Sequence, residues 1–385
     1  MTGDLAEFHP AAAYTLDLPA RPRPIVLIGA GGIVRDAHLP AYAKAGFPVV
    51  AIYNRTKARA QALAERFGIP VVFDDLAELV AAAPADAVFD IALMPEQYAD
   101  TLEALPDGAA VLIQKPFGHT LAEAGALLEI CRRKHLIAAV NTQLRFSPYV
   151  AAARAAIAAG RIGELYDLEV RVQVNTPWEL FPHVLTLDRL EINMHSVHYL
   201  DLLRSFVGDP AGVSAVTVRH PLKSHANSRS NIVLHYPDRD LRVVVSTNHD
   251  HHFGEQYEES YIKWEGTRGA IRAQMGLLLD YPVGGPDELE IFLDDDPAAG
   301  WQPLDFTGSW FPDAFIGSMG ALQRYLEGSV ATLPTSVDDV YRTMALVEAA
   351  HTASGAGGTP PAYQPGPLAF QEPEPAPHPA TKGQL

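Results

Sequence analysis

From Ile25 onward the chain alternates short, continuously apolar runs with Ala-rich stretches of helical spacing. The apolar runs are IVLIGA, VVAIYNR, VVF at 71–73, AVFDIAL at 87–93, AAVLIQ and LIAAVN, and helices are predicted at 57–67 and 120–134. A strand that is apolar on both faces must be covered on both. The pattern therefore predicts a doubly wound parallel sheet, ending near Arg145. After Pro148 come a predicted helix at 148–159 and the turn-like GRIGEL, and then the texture changes. LYDLEVRVQV, GVSAVTVRH, SNIVLHY, RVVVSTNHD, SYIKWEG and ELEIFL alternate apolar with polar positions, the period of an antiparallel sheet with one wet face. Helices are predicted at about 190–206, at 313–327 and at 337–354, with Asp313 read as an N-cap in preference to a cleft residue, and there is no internal repeat.

The expected organisation is α/β followed by α+β. An arm (1–23) precedes a doubly wound domain (24–145), then a domain with a large, mostly antiparallel sheet flanked by helices (146–355), then a tail (356–385). The tail is rich in Gly, Pro, Ala and Gln, a composition that does not offset its own ordering entropy. With 385 residues, 48% of them apolar, the chain has enough material for two separate cores. A net charge of −17 argues against nucleic acid, whose binding depends on Lys and Arg neutralising phosphates. No apolar stretch approaches the roughly 20 residues of a membrane span, and the first 24 residues lack the pattern of a secretory signal. The lone Cys131, set among basic neighbours, allows no internal disulfide and is read as an idle thiol in a reducing compartment, so a cytoplasmic location is expected.

In PIVLIGAGGIVRDAHLPAY, Gly29, Gly31, Gly32 and the following Ile33 lie between the first strand and the first helix. Glycines there let a pyrophosphate approach the backbone, and the helix start offers free N–H groups and a positive dipole end. Val34 takes the place of the third glycine of the usual pattern, but the turn does open a βαβ unit, as a Rossmann dinucleotide site requires. At the end of the second strand, Asn54 stands where an acid would bind the ribose 2′-OH of NAD, and Arg55 and Lys57 follow. Two cations with no carboxylate suit a 2′-phosphate, so NADP is the first choice and NAD the alternative. Met94, Pro95, Gln114 and Lys115, at the carboxyl ends of later strands, complete the candidate cofactor set.

Taken together, GAGGI, QKPFGHT, RIGEL, HSVHYLDLLRSFVG and EGTRGAI, in this order and spacing, resemble the Gfo/Idh/MocA oxidoreductases over about residues 24–355. The family includes relatives of glucose-fructose oxidoreductase and inositol dehydrogenase. The resemblance implies an NAD(P)-dependent dehydrogenase or reductase that moves hydride to or from a hydroxyl-bearing carbon of a sugar or polyol. It also implies that Lys115, the lysine of the motif, reaches the cleft beside the nicotinamide and assists the hydroxyl proton. Family members often have a cis peptide before the motif's proline, here Pro116. Two departures stand out: Gln114 replaces the usual Glu, and Met194 replaces the Asp expected four residues before His198.

Helical spacing puts Glu191, His195 and His198 on one stripe with Met194 beside it. His198 is the candidate general acid/base, as an imidazole titrating near neutrality, and His195 the candidate for the polar role vacated at 194. One helix face supplies too few ligands for zinc, so no metal is expected. Asn141, Gln143 and Arg145, past a Rossmann strand, and Asn175, Trp178 and His183, after the first strand of the second domain, are candidate substrate contacts. An aromatic ring among amides and imidazoles suits a carbohydrate. STNHDHHF at 246–253 reads as polar strand end or subunit contact. The resemblance also implies pairing of chains through the second sheet, as a homodimer or homotetramer. Two other functions stay open: a lyase or glycoside hydrolase that recycles bound NAD, and a non-catalytic NAD(P) sensor, the latter motivated by Met194 and Gln114.

Overall fold

The computed structural model describes residues 17–360 apart from His183, so the first 16 residues of the arm, the tail from 361 and the His183 expectation lie outside it. Six strands, β1 (Ile25–Ile28), β2 (Val49–Tyr53), β3 (Val71–Phe73), β4 (Val88–Ile91), β5 (Ala110–Gln114) and β6 (Ile137–Asn141), form a parallel sheet. Their order is β3-β2-β1-β4-β5-β6. The order in which strands are added reverses between β1 and β4, which run parallel, and this opens a crevice at their carboxyl ends. β1, β4 and β5 are buried along their whole length because helices cover both faces. Those helices are α1 (Leu39–Ala45), α2 (Lys57–Phe67), α3 (Leu76–Ala82), α4 (Tyr98–Ala104) and α5 (Leu121–Arg133). A π-helical turn, Val34–His38, precedes α1.

After α6 (Pro148–Ala158) the second sheet begins with β7 (Leu165–Gln173), and α7 (Val197–Val207) follows it. β8 (Gly212–Val218), β9 (Arg229–His235), β10 (Arg242–Asn248), β11 (Glu259–Gly266), β12 (Gly269–Gln274), β13 (Glu288–Leu293) and β14 (Gln302–Pro303) complete it. The order is β14-β13-β12-β11-β7-β10-β9-β8, antiparallel except that β7 and β10 run parallel. That exception follows from β7 entering first, before α7, with the later hairpins added on either side of it.

Leu168, Val170 and Val172 of β7, Val243 and Val245 of β10, and Ile262 and Trp264 of β11 point inward, continuous with the core of the first sheet. The other face carries ion pairs instead, such as Arg242 with Asp167 and Glu169, Lys263 with Glu265, and Arg171 with Glu259. α8 (Asp313–Leu326) and α9 (Val337–Gly355) return to the first domain, and α9 packs against β8 of one sheet and α5 beside the other. Asp313 is not the N-cap of α8. It is the first residue of that helix, accepting from Ser309 N at 2.8 Å and from Lys44 Nζ of α1 at 2.5 Å. Cys131 is buried within α5, and burial pushes its thiol up to about 12, which leaves it protonated and unreactive. No helix among the described residues is long and apolar enough to cross a membrane.

Candidate active site

The crevice begins at Gly29. Its φ is +120°, and a Cβ there would lie 2.4 Å from the Ala92 carbonyl oxygen, so only glycine lets β1 turn this close to the end of β4. At Gly31 the same test finds open space, the approach a pyrophosphate needs. Ile33 precedes the π-helical turn and is packed beneath it, and Arg35 N donates to the Gly31 carbonyl at 3.2 Å, so the helix starts at this glycine turn, and the first N–H groups of a helix have no carbonyl within it to bond. Met94 and Pro95 follow β4, where a 3₁₀ turn starts at Pro95. These residues fit a dinucleotide.

At the β2 end, Asn54 Nδ2 donates to the Thr56 carbonyl at 3.0 Å and Arg55 is exposed. Lys57 is paired with Asp74 at 3.1 Å. Of the two cations expected beside the ribose, one therefore already has a partner, although an exposed pair of this kind holds only weakly.

Lys115 follows β5, with a cis peptide to Pro116. The loop beyond is tied down at both ends. Thr120 caps α5 by accepting from Glu123 N at 3.2 Å, and Glu123 accepts from His119 N at 2.7 Å. From the second domain, Asn193 Nδ2 donates to the His119 carbonyl at 2.7 Å, and the Lys115 amine donates to the Met194 carbonyl at 2.9 Å. Where the resemblance led us to expect a carboxylate at 194, this chain offers a main-chain oxygen. The Met194 side chain turns away, packing with Trp178, Val184 and Leu190. Burial lowers the Lys115 pKa to about 8.

The helix expected at 190–206 starts as a π-helical turn, Ile192–Ser196, in which Val197 N reaches back to the Ile192 carbonyl. The wider turn replaces the regular helical spacing at the start of the stripe. Glu191 is fully buried, accepting from Ser196 Oγ at 2.7 Å and lying 3.7 Å from His249 Nε2. His195 and His198 both stay near Lys115. Burial is the main cause holding both well below the usual imidazole range, and the Lys115 charge adds to it. Both rings are therefore neutral at pH 7, and neither Nδ1 has a hydrogen-bond partner among the described residues. The neutral-range titration expected of His198 is corrected by its surroundings.

Trp178 is buried, donates to Asp250 Oδ1 at 3.2 Å, and stands 5.6 Å from His195, 5.4 Å from His225 and 6.0 Å from His249 between ring centres. His249 stacks on His195 at 4.0 Å. STNHDHHF does end a strand, β10, and His252 and Phe253 are exposed, but the polar-surface reading fails at His249 and Asp250, which are buried. The alternation of β10 carried the signal, since Val243, Val245 and Thr247 face inward and position 249 continues that phase. Asn175 pairs with Asp250 as an isolated β-bridge. Asn141 is buried, its amide 3.5 Å from His38 Nε2.

Arg145, expected to meet substrate, is held elsewhere. Its Nε and Nη2 donate to Asp201, the latter at 2.6 Å, Nη2 also reaches Asp339 at 2.6 Å, and Nη1 donates to the Pro334 carbonyl at 2.8 Å. This is an internal tie between β6, α7 and α9.

Residues 23–142 match the model of the Gfo/Idh/MocA oxidoreductase family, NAD-binding Rossmann fold, and residues 150–272 match a Gfo/Idh/MocA C-terminal domain. D-apiose dehydrogenase of Paraburkholderia graminis is 26% identical over 86% of this chain and 88% of its own. The 1,5-anhydro-D-fructose reductase of Ensifer adhaerens is 27% identical over 86% and 97%. An oxidoreductase from Agrobacterium radiobacter, solved with NAD+, L-tartaric acid and magnesium, shares the fold with a TM-score of 0.72 at 24% identity, over 88% of this chain and 98% of that one.

Proposed function

The chain belongs to the Gfo/Idh/MocA oxidoreductase family, and from that premise we propose that it transfers hydride between a nicotinamide dinucleotide and a hydroxyl or carbonyl carbon of a sugar or polyol. The carrying observation is the Lys115 amine, half-buried and hydrogen-bonded to the Met194 carbonyl between the two domains, beside two neutral imidazoles. The nicotinamide, when bound, takes or gives the hydride. Lys115 takes or returns the hydroxyl proton, because its lowered pKa makes the neutral amine available near pH 8. His198 and His195, uncharged, orient the reacting hydroxyl by hydrogen bonding. Trp178 gives the sugar an apolar wall. The carbohydrate class is supported by the sugar-acting relatives D-apiose dehydrogenase and 1,5-anhydro-D-fructose reductase.

The test is a pH profile with a panel of sugars and polyols, read as absorbance of the reduced cofactor. Below its pKa the amine is charged and cannot accept a proton, so oxidation should rise with pH through about 8 and then level. Reduction needs the charged amine and should fall as pH rises through the same value. Profiles that are flat from roughly pH 6 to 10 in both directions would remove Lys115 as the proton carrier.

We assign NADP as the preferred cofactor, supported by Asn54 in place of an acid and by the exposed Arg55. Arg55→Ala should raise the KM for NADP about tenfold with little change for NAD. Equal response to both cofactors would return the choice to NAD. Self-association is assigned to the open, ion-paired face of the second sheet as a homodimer or homotetramer. A sedimenting mass of one chain at micromolar concentration would reject it. A cytoplasmic location accords with one buried thiol and a nicotinamide substrate pool.

A further inference from the structure

Behind Lys115 lies a buried polar chain that the hydride-transfer reading does not use. Lys115 N donates to Gln114 Oε1 at 2.8 Å. Gln114 Nε2 is 3.2 Å from His38 Nε2, His38 Nδ1 is 2.7 Å from Asp90 Oδ2, and Tyr42 donates its hydroxyl to the same oxygen at 2.7 Å. His38, Asp90 and Tyr42 are fully buried, and Gln114 is nearly so. They come from separate elements: the π-helical turn at Val34–His38, β4, α1 and β5.

The hydrogen bonds fix one another in a single direction. A main-chain N–H can only donate, so Gln114 must turn its carbonyl oxygen toward Lys115 and its NH2 toward His38. His38 Nε2 must then be the accepting nitrogen, which places the ring proton on Nδ1, facing the Asp90 carboxylate. The Tyr42 hydroxyl, kept protonated by burial and by Asp90, completes the set. If the His38 proton moved to Nε2, two donors would face each other across 3.2 Å, and Gln114 would have to flip and present its NH2 to Lys115 N–H. The orientation of one amide thus depends on the tautomer of one histidine. The groups around His38 are Asp90, Tyr42, Gln114, Asn141 and the Phe315 ring at 4.9 Å, with Tyr98 also close to Asp90.

We propose that His38, Asp90 and Tyr42 are positioning residues that act through Gln114: they set the main chain at Lys115 and hence where its amine stands between the Met194 carbonyl, His195 and His198. The inference rests on the reading of Lys115 as the proton carrier. None of the three reaches the cleft, so none is catalytic itself.

Trace acetylation of Lys115 by acetic anhydride across pH, read by mass spectrometry on the full chain, reports the placement of the amine without substrate or cofactor. Gln114→Met and His38→Ala should each release the loop and move the Lys115 titration upward by about one unit, a roughly fivefold loss of neutral amine at pH 8. The double variant should shift no further than the larger single one, because both act on one chain of contacts. On any sugar that is turned over, kcat should fall roughly ten- to a hundredfold while the cofactor KM holds.

An unmoved Lys115 titration in both variants, or shifts that add in the double, overturns the inference. If His38→Ala does not fold, ¹⁵N spectra of the histidine rings decide. The wild-type His38 ring should carry its proton on Nδ1 with Nε2 accepting, and Gln114→Glu, which removes the donor facing Nε2, should change the Nε2 signal. A wild-type Nε2–H form overturns the inference. Wild-type turnover in Lys115→Met would instead strike at the proton-carrier reading, whatever the acetylation result.

Discussion

Lys115→Met is expected to cut turnover by about 10²–10⁴-fold while leaving the affinity for dinucleotide within a fewfold of wild type. The size follows from what the amine does. Oxidation of a hydroxyl carbon needs its proton removed as hydride leaves, and an amine already pushed down to about 8 by burial can do this near neutral pH. Methionine keeps the length and the packing but supplies no group able to carry a proton. His198 and His195 are poor substitutes, since burial holds both well below the usual imidazole range. Dinucleotide affinity should survive because the glycine turn, β2 end and β4 end that would hold it are built without Lys115. Stopped-flow turnover and fluorescence titration of the cofactor give the two numbers. A variant that turns over as fast as wild type would show that the proton leaves by another route. Lys115→Arg is the useful companion, because a guanidinium stays charged and should fail in the oxidation direction even if it fits.

The first sheet could be read from the sequence because its strands are apolar on both faces, so continuous runs map directly onto β1, β2 and β4–β6. The second sheet was readable for the opposite reason, its strict alternation, although GAIRAQ escaped as a separate strand. It is short, with small and polar side chains between its few apolar ones, and is recognised by its main-chain pairing with β11 and β13. The site was readable where one residue type has one use: glycines at a strand–helix turn, and a lysine that ends an apolar strand. It was not readable where a local change of backbone geometry decides. Helical arithmetic applied to Glu191, His195 and His198 assumes 3.6 residues per turn and does not foresee the π-helical turn at Ile192–Ser196, nor that Glu191 is fully buried beside Ser196 and His249. Nor does spacing reveal partners far along the chain. Asp90 sits in an apolar strand where the sequence shows only an interruption, and its meaning depends on His38, 52 residues earlier.

Asp201→Ala is expected to destabilise the fold by about 3–5 kcal/mol, a large share of what a domain of this kind has to lose. The Arg145 side chain is 8% exposed and that of Asp201 only 1%, so the substitution strands a guanidinium in a region water barely reaches. Thr343 loses its acceptor as well, since its hydroxyl donates to Asp201 at 2.8 Å. Asp339 remains at 2.6 Å from Arg145, but its carboxylate is shared with Arg204 at 3.1 Å and cannot hold both cations as well. Thermal and urea unfolding, followed by circular dichroism, measure the loss, and Asp201→Asn, which keeps one acceptor, should lose less. Sugar KM measured well below the unfolding transition should stay near wild type, because Arg145 ties β6 to α7 and α9 rather than facing the cleft. The opposite pattern, normal unfolding with a sugar KM raised tenfold or more, would mean that Arg145 is released toward substrate in the working enzyme and that the tie is not what holds these elements together.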